Sequence, residues 1–122
     1  MVQRDIRDYL NDILTHIALA EKFVKGMSFE EFQTDDKTIL ALTRAIEIVG
    51  EATKQIPDDL RLLYPDIVWQ QIVGMRNRLA HAYFGIDLEI VWNTTHKELP
   101  ELRPAIQTLL DKLTAAENEL ES

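Results

Sequence analysis

The sequence predicts an all-α fold, in which four or five main helices form a compact bundle within one domain that spans residues 1–122. Three observations indicate this class. Apolar residues recur at spacings of three and four along most of the chain, and no stretch alternates convincingly with period two. The chain also contains only four glycines and four prolines, which leaves long segments free of helix breakers.

The first half of the chain contains two long predicted helices with a short one between them. The first extends over Arg4–Lys25, where Gly26 ends it. Ser28–Glu31 has the spacing of a capping box, which predicts a short turn of helix. The second long helix begins near Asp35 and Asp36 and stops before Pro57, since the residue before a proline avoids helical geometry.

The second half continues the same pattern with shorter helices. Asp58–Leu63 is expected to form one or two helical turns. A longer helix, with Asp66 as its N-cap, extends over Asp66–Tyr83. Asp87 then caps another helix start. The final helix is predicted to hold Pro104 in its first turn and to end near Leu120.

The composition excludes several classes of protein. Hydrophobic residues make up 46% of the chain and charged residues 28%, which is typical of a globular domain. No apolar run approaches the roughly 20 residues that a membrane span needs, and the N-terminus mixes charges without the apolar region of a secretory signal. The absence of cysteine excludes disulfides and thiolate sites. We therefore expect a soluble cytoplasmic protein.

The distribution of acidic residues singles out one segment. The net charge of −8 argues against a non-specific coat for nucleic acid, which needs a basic surface. The twenty residues 67–86 nevertheless contain no aspartate or glutamate, although the chain has 21. Arg76, Arg78 and His81 lie in this window. An acidic chain thus keeps one segment free of negative charge, and this segment is the candidate site for anion chemistry.

Residues 76–83 have the spacing Arg-x-x-x-x-His-x-Tyr, formed by Arg76, His81 and Tyr83. This motif resembles the signature of the HEPN superfamily, and specifically that of the HepT-like toxins. Three further stretches resemble the same family: Arg-Ala-Ile-Glu-Ile-Val-Gly-Glu-Ala at 44–52, Asp-Ile-Val-Trp at 66–69 and Asp-Leu-Glu-Ile-Val-Trp at 87–92. The resemblance extends over nearly the whole chain and implies a HEPN-like helical domain.

The resemblance also implies an activity and its regulation. HepT-like proteins are the toxin half of a toxin–antitoxin system, and they act as homodimeric, metal-independent ribonucleases. Their partner is a minimal nucleotidyltransferase, MntA, which silences the toxin by transferring AMP groups to the motif tyrosine. Carried over by position, Arg76 and His81 are catalytic and Tyr83 is the modified residue. RNA is the implied substrate, and no cofactor is implied.

The chemistry of these residue types agrees with that implication. Cleavage of RNA by internal transfer removes a proton from a ribose 2′-OH and gives one to the leaving 5′-oxygen, which histidine can do near neutral pH. Arginine offers a planar fork of donors to a phosphate. Asn77 and Arg78 are further candidates for substrate contact. The histidines at 16, 81 and 96 have no paired spacing, so no metal site is predicted.

Helix geometry leaves one question open. On a regular helix Arg76 and His81 point about 140° apart, whereas Arg76 and Tyr83 differ by only about 20°. One ideal helix therefore does not bring Arg76 and His81 together. Either the helix loosens before Gly85, or two copies of the segment face each other across a homodimer.

Each of these residues also has a purely structural interpretation. His81 could cap the carbonyls of a helix end, Tyr83 could pack at the edge of the core, and Arg76 and Arg78 could be surface charges. Asn77 could bond locally or to substrate. Glu47 and Glu51 share a helix face, where carboxylates are acid–base or metal groups in some proteins and solvated charges in more.

Two classes of function follow from these alternatives. The first is a ribonuclease toxin with Arg76 and His81 in its active site. The second is a non-catalytic helical subunit that binds a nucleotide or a nucleotidyltransferase, with the motif used for recognition only. Toxicity that depends on His81 would separate the two classes.

Overall fold

The computed structural model describes residues 4–80 and 87–121, which form helices joined by short connections with no strand among them. The all-α prediction is therefore confirmed. Seven α-helices and one π-helical turn follow one another in this order: α1 Ile6–Val24, α2 Phe29–Gln33, α3 Asp36–Lys54, α4 Asp58–Arg61, α5 Trp69–Ala80, α6 Leu88–Asn93, the π-helical turn Thr94–Glu98, and α7 Leu99–Glu121.

Most helix starts predicted from capping residues are confirmed. The Glu31 N–H donates to Ser28 Oγ, and the Ser28 N–H donates to Glu31 Oε1, each at 3.1 Å, so the capping box is complete. Asp35 accepts from the Thr38 N–H, and Asp87 caps α6 in the same way. Beyond the end of α1, Gly26 has a φ of +74°, a left-handed conformation that favours glycine.

One continuous core joins the long helices. α3 packs against α1 and α5, and α1 also packs against α7. Ion pairs link α1 and α7, between Arg103 and Glu21 at 2.9 Å and between Arg7 and Glu117. The start of α7 thus pairs with the end of α1, and the end of α7 pairs with the start of α1, so the two helices are antiparallel. Fully buried side chains fill the space between the helices, among them Leu10, Ile13, Ile17, Leu42, Ile46, Ile72, Met75 and Ile106.

The predicted start of α5 at Asp66 is wrong, because the helix begins three residues later at Trp69. The indole Nε1 of Trp69 donates to the carbonyls of Arg61 and Tyr64, both at 3.0 Å. The Tyr64 carbonyl also accepts from the N–H of Ile67 at 3.1 Å. These bonds fold residues 64–67 into a turn, and Asp66 lies within it rather than at a helix cap.

The predicted start of the last helix near Pro104 is also wrong. α7 begins at Leu99, directly after the π-helical turn, and Pro104 lies inside it. Leu99, Leu102 and Ile106 are fully buried on this helix. Burial of three such side chains contributes about 2 kcal/mol each, which exceeds the cost of about 3 kcal/mol for a proline within a helix.

Candidate functional site

The acid-free segment begins on α5, which the sequence anchors with one apolar stripe. Trp69, Ile72, Met75 and Leu79 follow one another at spacings of three and four, and all four are buried. This stripe packs α5 against α3. Asn77 is exposed. The packing of α5 thus fixes the backbone that carries the first half of the motif.

The predicted catalytic residues fall at the edge of what the structure describes. Arg76 and Arg78 belong to the last turns of α5, but their side chains lie outside the described part of the chain. His81 and Tyr83 lie outside the described residues altogether. Regular helical geometry is therefore described only as far as Ala80. The approach of Arg76 to His81, within one chain or across a dimer, stays a prediction.

The two carboxylates that share a face of α3 have different surroundings. Glu47 forms an ion pair with Arg44 at 3.3 Å, and the side chain of Glu47 is 30% exposed. Glu51 is half-buried and lines a cavity of about 190 Å³ between α1 and α3. Across residues 4–80 and 87–121, no three histidine or acidic side chains are grouped closely enough to hold a metal ion.

The wall of the cavity beside Glu51 contains an ordered set of polar groups that sequence reasoning missed. Arg4 donates to Asp12 at 2.8 Å, and its guanidinium lies 4.7 Å from the centre of the Tyr9 ring. The carboxylate of Asp12 raises the pKa of Arg4 further, chiefly through this hydrogen bond. The available signal was the spacing of Tyr9 and Asp12, which places them on one face of α1.

The two described histidines make local contacts. His16 Nδ1 donates to the carbonyl of Asp12, and His96 Nδ1 donates to the carbonyl of Trp92, both at 2.7 Å. The ring of His96 also packs at a tilt against Trp92, with ring centroids 4.1 Å apart. Each of these histidines bonds to the carbonyl of the residue four positions before it, which is a local helical contact.

The fold and the candidate site define a class, namely an all-α protein in which one helix of the described chain, α5, has no acidic residue. A family model described as Ribonuclease HepT-like matches residues 13–109, which is most of the chain and includes the whole Arg-x-x-x-x-His-x-Tyr motif. The chain belongs to this HepT-like family of HEPN-type ribonucleases. The resemblance stated from the motif is thereby confirmed.

Relatives from archaea and bacteria agree with this membership. A protein of Thermococcus cleftensis with the name "Probable ribonuclease HepT" is 43% identical over 108 residues, which cover 88% of this chain and 98% of that protein. Proteins with RNase names from Caldanaerobacter subterraneus and Methanocaldococcus jannaschii are 41% and 39% identical, covering 87% and 93% of this chain and 95% and 97% of those proteins. No solved structure matches the chain.

One further finding concerns membranes. Among the helices that the structure describes, none combines the length and the apolar character needed to cross a bilayer.

Proposed function

We propose that this chain is the toxin component of a HepT-type toxin–antitoxin system, a metal-independent ribonuclease that a nucleotidyltransferase silences by AMP transfer to Tyr83. The observation that carries the proposal is the family match over residues 13–109, which includes Arg76, His81 and Tyr83 without a departure from the motif. The RNase names of the relatives support RNA as the substrate.

In this proposal His81 and Arg76 divide the chemistry between them. His81 takes the proton from a ribose 2′-OH, and the 2′-oxygen attacks the adjacent phosphorus. The bond to the 5′-oxygen breaks as that oxygen receives a proton from water, and His81 returns the proton it took to solvent, which leaves a 2′,3′-cyclic phosphate and a free 5′-hydroxyl. Arg76 donates hydrogen bonds to the phosphoryl oxygens, on which negative charge increases in the transition state.

The charge distribution supports a homodimeric site. Arg76 and Arg78 lie in a window of twenty residues without an acid. If two copies meet near α5, four arginines and two histidines share one groove, which favours an anionic backbone despite the overall charge of −8. The dimer also removes the 140° separation between Arg76 and His81, because each arginine then faces the histidine of the other copy. The exposed Asn77 is available for a substrate contact.

Modification of Tyr83 would block this groove. On a regular helix Tyr83 follows Arg76 by two turns on nearly the same face, about 10 Å along the axis. An AMP group on the tyrosine hydroxyl adds a phosphate that can pair with Arg76 and occupy the position of an RNA phosphate. Inhibition is then both electrostatic and steric.

Expression of the chain without its partner tests the ribonuclease proposal. We expect wild type to arrest growth and His81→Ala to abolish the arrest. His96→Ala is the matched control, because His96 is exposed and bonds only locally, and it should remain toxic. Equal toxicity of wild type and His81→Ala would contradict this assignment of the site.

Co-expression with the nucleotidyltransferase tests the modification. Wild type should gain mass in steps of one AMP and lose toxicity, whereas Tyr83→Phe should gain no mass and stay toxic. Modification of Tyr83→Phe to the same extent as wild type would show that the acceptor is a different residue.

The net charge of −8 favours one other function, a non-catalytic subunit that binds a nucleotide or the nucleotidyltransferase. Such a subunit would bind its partner but cleave no RNA. Cleavage of RNA by purified wild type, with no cleavage by His81→Ala, would exclude it.

A further inference from the structure

Gly74 lies in the middle of α5, at a position where glycine lowers the stability of the helix. The helix extends over Trp69–Ala80, so Gly74 has more than one helical turn on either side. A glycine inside a helix is less favourable than an alanine, because its backbone loses more conformational freedom when the chain folds. A glycine at this position therefore needs a compensating reason.

Packing within the chain does not supply that reason. Among the described residues, a Cβ built on Gly74 would meet no heavy atom within 4 Å outside the helix's own backbone and the two adjacent residues. The buried residues Ile72 and Leu79 point about 160° and 140° away from Gly74 on a regular helix, so Gly74 lies away from the stripe that packs against α3. An alanine would therefore fit, and the glycine leaves room for a group from outside the chain.

Amide side chains surround this gap on one face of α5. Gln70 and Gln71 lie four and three positions before Gly74, and Asn77 lies three positions after it, so all three are its neighbours on the helix surface. All three are exposed. We call the surface formed by Gln70, Gln71, Gly74 and Asn77 the glycine face. It combines a gap between side chains with amide groups on both sides of that gap.

The chemistry of the glycine face suits the sugar–phosphate backbone of RNA better than a second copy of the chain. Side-chain amides of asparagine and glutamine donate hydrogen bonds to phosphate oxygens and contact the sugar. α5 itself has no acid that would repel a phosphate. A helix of a second copy that packed on the glycine would bury apolar side chains around it, but the three residues that border the gap are polar and exposed.

We propose that the glycine face binds the sugar–phosphate backbone of the RNA, with one backbone segment over Gly74 and hydrogen bonds from Gln70, Gln71 and Asn77. The inference rests on the proposed function, because it extends the binding site of the same substrate. Gln70 precedes Arg76 by six positions, or about 9 Å along the helix axis. The glycine face therefore contacts a nucleotide next to the one that is cleaved, and it contributes to binding rather than to the chemical step.

The test measures thermal stability and the cleavage of single-stranded RNA in Gly74→Ala. The melting temperature should rise by a few degrees, because alanine is the better helix former. The KM should rise about tenfold, because the methyl group displaces the RNA backbone, while kcat stays near that of wild type. Gly74→Gln should raise the KM further. Thr15→Ala is the matched control, since Thr15 is exposed on α1: it should also raise the melting temperature but leave the KM unchanged.

Removal of one amide gives a second measurement. Gln70→Ala should raise the KM by about two- to fivefold, the effect of one lost hydrogen bond. If wild type cleaves RNA and Gly74→Ala has the same KM, the inference is wrong while the proposed function stands. If wild type cleaves no RNA, both are wrong. If Gly74→Ala lowers the melting temperature and converts a wild-type dimer into monomers in light scattering, the glycine contacts a second copy and the inference is overturned.

Discussion

The α1–α7 pair and α5 use charge in opposite ways. α1 and α7 set arginines against glutamates, as in the Arg103–Glu21 and Arg7–Glu117 ion pairs. Each of the other α-helices in the described chain also has an acidic residue in its first turn, where the helix dipole favours negative charge. The first turn of α5 has none, and neither does any later residue of that helix.

If the proposed site is right, α1 and α7 use charge for stability, whereas α5 keeps its positive charge for an anionic substrate. An acid at the start of α5 would stabilise the helix by roughly 0.3–1 kcal/mol, and the sequence forgoes that stabilisation. An acid there would also lower the positive potential that Arg76 and Arg78 create. The comparison predicts that substitutions in α5 change activity more than stability, whereas those in the α1–α7 pair do the reverse.

The largest expected effect comes from removing one arginine from each region. Arg76→Ala should lower the rate of RNA cleavage by about 10²-fold or more, because it removes a donor to the phosphoryl oxygens, and should leave the melting temperature nearly unchanged. Arg103→Ala should do the opposite. Cleavage assays and thermal melts on both variants check this prediction, and a strong loss of activity in Arg103→Ala would remove the distinction between the two regions.

A smaller effect is expected when an acid is placed beside the motif. Asn77→Asp keeps the size of an exposed side chain but puts a negative charge next to Arg76 and Arg78. Cleavage should fall several-fold at low salt and recover in part as salt screens the charge. A fall that is independent of salt would instead indicate that Asn77 makes a specific hydrogen bond.

Gln71→Glu should separate the effect of an acid on the stability of α5 from its effect on cleavage. Gln71 is exposed in the first turn of α5, so a glutamate there complements the helix dipole and should raise the stability by about 0.3–1 kcal/mol. The same change should slow RNA cleavage by a smaller factor than Asn77→Asp, since position 71 is farther from Arg76. Denaturant melts and cleavage rates are the measurements, and a stabilised variant with faster cleavage would contradict the argument.

The smallest predicted effect concerns acid stability. Hydrogen bonds from Thr38 hold the pKa of Asp35 below its ordinary value, and contacts from Arg7 do the same for Asp5. A depressed pKa in the folded state contributes stability at neutral pH, and this contribution is lost as the pH falls through the folded pKa. Melting temperatures should therefore fall more steeply below the ordinary aspartate pKa in wild type than in Asp35→Asn, which keeps the cap but does not titrate.

The sequence predicts features that depend on neighbouring residues. The helix starts at Ser28, Asp35 and Asp87 need only a side chain and an N–H three residues away, and all three are confirmed. The predicted helix starts at Asp66 and Pro104 are wrong because contacts beyond the neighbouring residues decide where these helices begin. The indole of Trp69 reaches the carbonyl of Arg61 across eight positions, and burial of the α7 stripe outweighs the proline.

The candidate site is also predictable only in part. The residue types follow from the motif, since arginine and histidine suit a phosphate and a proton transfer wherever they lie. Their meeting in space does not follow, because a regular helix holds Arg76 and His81 about 140° apart. It depends on the backbone after Ala80 or on a second copy, neither of which a local pattern encodes.

The π-helical turn Thr94–Glu98 sets the rotational phase between α6 and α7. Val91 and Leu99 are both fully buried, although eight residues of regular α-helix would turn one about 80° away from the other. The extra residue of a π turn rotates everything after it back by about 100°, which returns Leu99 to nearly the direction of Val91. Deletion of a single residue between 94 and 98 would therefore rotate α7 about its axis by about 100°. This rotation would move Arg103 and Glu117 away from their partners on α1 at the same time. Length changes within this segment should be tolerated far less than substitutions in it.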